Sequence, residues 1–280
     1  MNIVVLDGGT TNPGDLSWSG LAALGEVTVY GDTAPEEVLP RAAHADALVV
    51  NLVALTGKVL KCFPRLSYVG TLSTGYNTID LAFCKARRIP VCNVPDYCVK
   101  TVAQWAFSLL LTLCSHVEAY NALVKNGQWD KSVALSFGAH SALELSGKTL
   151  GILGYGNIGR AVGDLSKALG MEIIAHSPRK KPGDVEFVSL EALFQRSDVL
   201  SIHCALTPET RELVNLERLK KMKPTALILN TARGGVIVEK DLAFALNSGL
   251  IAGAGLDVLT REPPEENNPL LTAKNCLLTP

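Results

Sequence analysis

Gly154, Gly156 and Gly159 stand in "TLGILGYGNIGRAVGDLSKALG", after a strand-like run and before a helix carrying Ile158, Val162, Leu165 and Leu169 on one face. Glycines so placed between strand and helix are what a dinucleotide pyrophosphate needs. The first permits a tight turn, the second lets the phosphates approach the backbone, and the third lets helix and strand pack closely. The free N–H groups of the helix start, where Asn157 and Ile158 lie, then favour negative charge. The plain alternative is an ordinary βα turn. At the end of the next strand, "MEIIAH", an acid would bind the ribose hydroxyls of NAD; Ser177 takes that place, followed by Arg179. Without the acid nothing repels a 2′-phosphate, and Ser177 and Arg179 can bond to one. A solvated polar turn is the alternative, so the expected cofactor is NAD(P)H with a slight lean to NADP. Arg233 follows an apolar strand in "LILNTARGG". A fixed guanidinium there can grip a carboxylate and polarise the adjacent carbonyl, with the two glycines opening the backbone for the ligand. A structural ion pair at the strand end is the competing reading.

These residues need a frame. From the N-terminus, "NIVVLD", "VTVY", "ALVVN", "LSYVGTL" and "VCNV" read as strands, and "DLSWSGLAALG" and "PEEVLPRAAHA" as helices between them, with Asp15 and Pro35 at helix starts. One long helix is expected over Val99 to Lys125, apolar on almost every side and therefore covered all round. A polar segment follows, and then six strands, "TLGILG", "MEIIAH", "DVLSIHCAL", "TALILNTA", "IAGAGLDV" and "CLLTP", make a second alternating series. The expected fold is α/β, with two doubly wound parallel-sheet (Rossmann/flavodoxin-like) domains, residues 1–98 and 99–280, and an active-site cleft between them.

Composition narrows the partners. The formal net charge of −1 over 280 residues, with basic residues scattered, offers no field for nucleic acid. Seven cysteines, with no C-x-x-C pair and mostly in apolar runs, suit reduced thiols rather than disulfides, and no metal site is expected. The N-terminus shows no signal peptide, and the longest apolar stretch, around Leu109 to Leu111, is too short for a bilayer, so a cytoplasmic protein without a membrane partner is expected.

The motifs "STGYNTIDLAFCKARRIPVCNVPDY", "TVAQ", "GKTLGILGYGNIGRAV", "HCALTPETRELVN", "LILNTARGGVIVEKDLAFAL" and "AGLDVLTREPP" occur in order over essentially the whole chain. In them the sequence resembles the D-isomer-specific 2-hydroxyacid dehydrogenases, in particular their bacterial glycerate dehydrogenase and hydroxypyruvate reductase-like members. The resemblance implies reversible hydride transfer between a nicotinamide and C2 of a small 2-oxo or D-2-hydroxy acid.

It also implies residue roles. Residues 1–98 would bind substrate and the remainder the dinucleotide. Arg233 becomes the catalytic, substrate-binding arginine, and Glu262, otherwise a loop charge, the glutamate that orients a catalytic histidine and raises its pKa. Asp257 matches the residue that bonds the nicotinamide carboxamide; Thr207, Thr231 and Ala232 line the same crevice, and Thr101 crosses above the nicotinamide. Gly75, with Thr74 and Tyr76, resembles a loop whose N–H groups hold the substrate carboxylate, aided by the Asn51 to Leu55 loop with Leu52 and Val53. That loop offers no arginine for a substrate phosphate. The family's histidine would follow Pro280, with a tail returning to the first domain; His44, His116, His140, His176 and His203 do not match it. A homodimer built on the cofactor domain and the Val99 helix is expected. A nucleotide-sensing corepressor-like protein or a dead scaffold is the alternative to the enzyme.

Overall fold

Strand β1 (Asn2–Val5) carries the β-branched run Ile3-Val4-Val5, all three buried. A strand apolar on both faces belongs inside a parallel sheet with helices on either side. In the computed structural model, which describes residues 1–129, 142–178 and 185–280, β1 lies between β2 (Glu26–Val29) and β3 (Ala47–Val50). β4 (Tyr68–Thr71) and β5 (Val91–Cys92) extend the sheet in the order β2-β1-β3-β4-β5, all parallel. The sheet belongs to a compact unit, Met1–Tyr97; a second unit spans Cys98–Pro280.

Local chemistry sets the helix ends of the first unit. Thr56 caps Gly57–Leu60 through Val59 N–H, and Asp80 caps Leu81–Ala86 through Phe83 N–H. Pro35 opens the 3₁₀ turn Pro35–Glu37, as expected of a proline at a first helical position. Asp15 caps nothing: the helix starts later, at Ser19–Ala22. Asn12 Oδ1 accepts the N–H groups of Gly14 and Leu16, and this side-chain turn holds the chain non-helical through Asp15.

Among its described residues the second unit holds seven parallel strands where six were expected: β6 (Thr149–Leu153), β7 (Glu172–His176), β8 (Glu186–Phe187), β9 (Val199–Ile202), β10 (Leu227–Asn230), β11 (Gly253–Leu256) and β12 (Cys276–Leu278). Two-residue β8 is too short to carry a periodic signal. The order β8-β7-β6-β9-β10-β11-β12 reverses direction between β6 and β9, which makes their carboxyl ends the topological switch point.

The long helix is two. Val99–Ser115 ends where His116 takes a left-handed φ of 50° and closes its N–H onto Thr112 O; Val117–Lys125 leaves at 54°. The first helix buries Ala103, Ala106, Phe107, Leu109, Leu110 and Cys114, whereas the second buries nothing. Trp105 and Leu111 remain exposed, so the first helix is not covered all round within its unit. No single helix among the described residues is long and apolar enough to cross a membrane.

Candidate functional site

The expected site residues fall into one group in each unit. In the second, β6 runs into Gly154 at φ 97°, a conformation that side chains resist, and a Cβ there would lie 2.6 Å from Cys204 N. Gly154 thereby lets the turn touch the segment after β9, at the switch point. A Cβ on Gly159 would lie 2.5 Å from Gly154 O, so this glycine seats the Asn157–Ala168 helix on the turn. A Cβ on Gly156 would meet nothing within 4 Å: it is the one glycine of the three with open space before it. Ile158 packs partly buried against the core. The turn therefore keeps two glycines for its own closure and leaves one approach to the backbone, which suits a pyrophosphate.

Around this turn lie the other strand ends. Ser177 follows β7, half-buried and with no hydrogen-bond partner among the described residues; Arg179 lies outside the described residues. Thr207 closes a turn in which its N–H donates to Thr210 Oγ1. Thr231 Oγ1, at the end of β10, is buried without a partner, a polar atom that a bound group can satisfy. Thr101 is exposed in the first turn of the Val99–Ser115 helix, four residues and so one turn before Trp105 on the same face.

Asn230, which sequence reasoning missed, shapes the arginine turn. Fully buried, it donates from Nδ2 to Arg233 O (3.0 Å) and accepts Ala232 N–H on Oδ1 (3.0 Å). Arg233 itself donates from Nη1 to Ala232 O at 2.6 Å. The following glycines do not open the backbone to a ligand, contrary to expectation. Both are buried: a Cβ on Gly234 would fall 1.9 Å from Leu259 C, and one on Gly235 would meet the Leu206 side chain at 3.1 Å. They draw the arginine turn against the loops after β9 and β11 instead. On the latter loop, Glu262 is exposed and accepts Leu259 N–H on Oε1, while Glu239 holds the loop by accepting Thr260 N–H and Asn268 Nδ2. Asp257 follows β11, and its Oδ1 accepts both Trp105 Nε1–H (2.6 Å) and the Thr279 hydroxyl (2.7 Å).

His203, directly after β9, is half-buried, and its Nε2 pairs with Ser201 Oγ at 2.7 Å. Burial pushes its pKa down to about 4, so at neutral pH it is uncharged and a poor proton donor. The sign of the linkage follows. Below the ordinary value of 6.5 the unfolded chain takes up a proton that the fold resists, so stability present above pH 6.5 is lost as pH falls towards 4. The loss amounts to about 3 kcal/mol at roughly 1.4 kcal/mol per pH unit. His203→Gln is expected to flatten that stretch of a denaturation-against-pH curve; an unchanged slope would place the titration elsewhere.

In the first unit, the carbonyls of the Ser73 to Gly75 loop all turn inward. Ser73 O accepts Val94 N–H, Thr74 O accepts Asn93 Nδ2, and Gly75 O accepts Ser73 Oγ at 2.8 Å. Tyr76 beside them is exposed. Gly75 N–H has no acceptor among the described residues, which fits an anion-binding loop. The Asn51 loop is different. Asp7, only 1% exposed, accepts Asn51 N–H on Oδ1 (2.8 Å) and Leu52 and Val53 N–H on Oδ2 (2.6 and 2.9 Å). Those amides are committed, so Leu52 and Val53 offer a ligand their side chains. Asp7, Leu52 and Val53 also line a cavity of about 450 Å³.

A parallel sheet of this order, with a glycine turn at its switch point, is the architecture of a dinucleotide-binding domain. Residues 107–280 match the family described as D-isomer specific 2-hydroxyacid dehydrogenase, NAD binding domain. The chain belongs to the D-isomer specific 2-hydroxyacid dehydrogenases. It is 46% identical, over 287 aligned residues, to a hydroxypyruvate reductase of Blautia hydrogenotrophica, covering 100% of this chain and 89% of the relative. It is 36% identical to a glycerate dehydrogenase of Methylorubrum extorquens, over 88% of this chain and 78% of that one. A solved NADPH-dependent glyoxylate/hydroxypyruvate reductase from Sinorhizobium meliloti matches with a TM-score of 0.84 and 28% identity, covering 100% of this chain and 85% of its own. The enzyme reading thus prevails over the corepressor and scaffold alternatives.

Proposed function

We propose that this NAD(P)-dependent dehydrogenase reduces a small unphosphorylated 2-oxo acid, of the hydroxypyruvate or glyoxylate type, to its D-2-hydroxy acid. The observation that carries the reading is the arginine turn: Arg233 leaves a buried strand on a backbone fixed by Asn230 and by two buried glycines. The named relatives act on acids of this type. Bound nicotinamide supplies the hydride. Gly156, Asn157 and Ile158 meet the pyrophosphate at the helix start, on the turn that Gly154 and Gly159 close. Thr101, Thr207, Thr231 and Ala232 line the nicotinamide end, and Asp257 accepts the carboxamide. The residue 1–98 domain binds the substrate carboxylate at Thr74, Gly75 and Tyr76, with Leu52 and Val53 beside it; residues 99–280 form the dinucleotide domain. Arg233 pairs with the carboxylate and draws charge onto the C2 oxygen, and Glu262 orients the proton-donating imidazole. The test is NAD(P)H oxidation by the full-length protein with hydroxypyruvate and glyoxylate, against 3-phosphohydroxypyruvate as the disfavoured substrate. Equal turnover of the phosphorylated acid, or none with either small acid, would refute it.

The same reading favours NADP over NAD slightly, since Ser177 stands where an acid would repel the 2′-phosphate. Arg179 assists it on sequence grounds alone. Ser177→Asp is expected to raise the ratio of NADH to NADPH affinity by about tenfold or more. Unchanged relative affinities would remove Ser177 from the ribose pocket. We also infer a homodimer. Leu111, Val117 and Val124 are exposed along the two helices that follow Cys98, and Trp129 is exposed just beyond them, apolar side chains of the kind subunits cover. Light scattering at micromolar concentration checks this, and a monomeric mass would contradict it. A cytoplasmic location is part of the same reading.

A further inference from the structure

We propose that Trp105 is a positioning residue of the cofactor site, fixing the Asp257 carboxylate so that a single oxygen faces the nicotinamide carboxamide. The inference rests on the assignment of Asp257 to that carboxamide. Three elements meet at this carboxylate. Asp257 N–H continues the ladder onto Asn230 O at 2.9 Å, which sets the backbone at the end of β11. Trp105, from the Val99–Ser115 helix, donates its indole N–H to Oδ1 at 2.6 Å and also reaches Thr279 Oγ1 at 3.2 Å. Thr279, just past β12, spends its one hydroxyl proton on the same Oδ1 at 2.7 Å.

The terminal torsion of an aspartate is soft and nearly two-fold, so an unbraced carboxylate presents either oxygen to a ligand. Two donors converging on Oδ1 remove that freedom. Oδ2 has no hydrogen-bond partner among the described residues and is the oxygen left for a carboxamide N–H. Holding an acceptor in its bound orientation beforehand removes an ordering cost that binding would otherwise carry. The indole is still 43% exposed, so the ring does not owe its position to complete burial.

The experiment measures, by calorimetric titration, the affinities of NADPH and NADH, each beside the same molecule lacking nicotinamide: 2′-phospho-ADP-ribose and ADP-ribose. Asp257→Ala tests the underlying assignment, Trp105→Phe the proposal, and Thr279→Val the second donor. Trp105→Phe is expected to weaken the dinucleotides by about fivefold to tenfold, the worth of one ordinary net hydrogen bond, and to leave the truncated molecules unchanged. Thr279→Val, which leaves the indole intact, gives the same selective loss. A general loosening of the fold would weaken both kinds of ligand together and does not reproduce this pattern. If Asp257→Ala shows the selective loss and the other two variants do not, Trp105 has no positioning role and the proposal fails while the assignment stands. If Asp257→Ala shows no selective loss, the assignment fails and the proposal with it.

Discussion

Arg233→Ala is expected to lower kcat/KM for hydroxypyruvate by about 10²–10³-fold, the usual cost of removing a preorganised donor from a developing oxyanion. Arg233→Lys keeps the charge and is expected to recover part of the KM loss but little of kcat, since an ammonium lacks the planar fork that binds a carboxylate through two parallel bonds. Neither variant should disturb the fold much. The turn is held from the backbone, by Asn230 Nδ2 on Arg233 O and by the buried Gly234 and Gly235, beside the guanidinium's own bond to Ala232 O. Cofactor affinity is accordingly expected to stay within about twofold by fluorescence titration, consistent with loss of a substrate contact alone. A fall in kcat/KM of less than about tenfold in Arg233→Ala would show that the carboxylate is gripped elsewhere.

The second large effect belongs to Asp7. In Asp7→Ala three amide groups, those of Asn51, Leu52 and Val53, lose their acceptor at a site where Asp7 itself is all but inaccessible. A buried N–H left without a partner costs about 1–3 kcal/mol. The Leu52 side chain is exposed, so water reaches part of the loop, and a loss of about 2–4 kcal/mol is expected for the Met1–Tyr97 unit. Asp7→Asn, which keeps one acceptor oxygen and turns a donor towards the other amides, falls between. Hydrogen exchange resolves the effect by residue: protection of the amides at 51 to 53 collapses first, ahead of the sheet. The KM for hydroxypyruvate rises severalfold, because the same loop carries Leu52 and Val53. Wild-type protection of those three amides in Asp7→Ala would refute the clamp.

Both effects depend on residues that differ in how visible they are from sequence. The glycine turn was legible because its requirements are local: a strand period, a helical period, and glycines at the spacing where backbone must turn, approach a ligand and pack. Gly154 at φ 97° and the open space before Gly156 answer to those requirements. The alternating β and α patterns likewise outlined both parallel sheets, since runs buried on two faces must be apolar at every position. Arg233 was visible for its place at the end of such a run, and Glu262 and Asp257 only through the family resemblance.

The tertiary structure decided the rest. Asp7 meets its amides 44 to 46 residues away, and Trp105 meets Asp257 across 152 residues. No local period marks such pairs, because a carboxylate or an indole has the same neighbours in sequence whether or not a distant donor or acceptor arrives. The "RGG" glycines show the same limit in another form. Their type announces that a side chain cannot be accommodated, but only the folded chain shows that Leu259 and Leu206 occupy the space. The break at His116 was hidden because no glycine or proline marks it: His116 itself takes the left-handed φ. The sequence by itself determined every strand except two-residue β8 and which turn can hold a pyrophosphate, because those properties reside in the backbone preferences and side-chain periods of contiguous residues; the family was legible only as a resemblance carried by several motifs in order. Which oxygen of Asp257 is free, which amides are committed to Asp7 and what stands against the arginine turn depend on packing between elements far apart in the chain, and the fold alone brings them together.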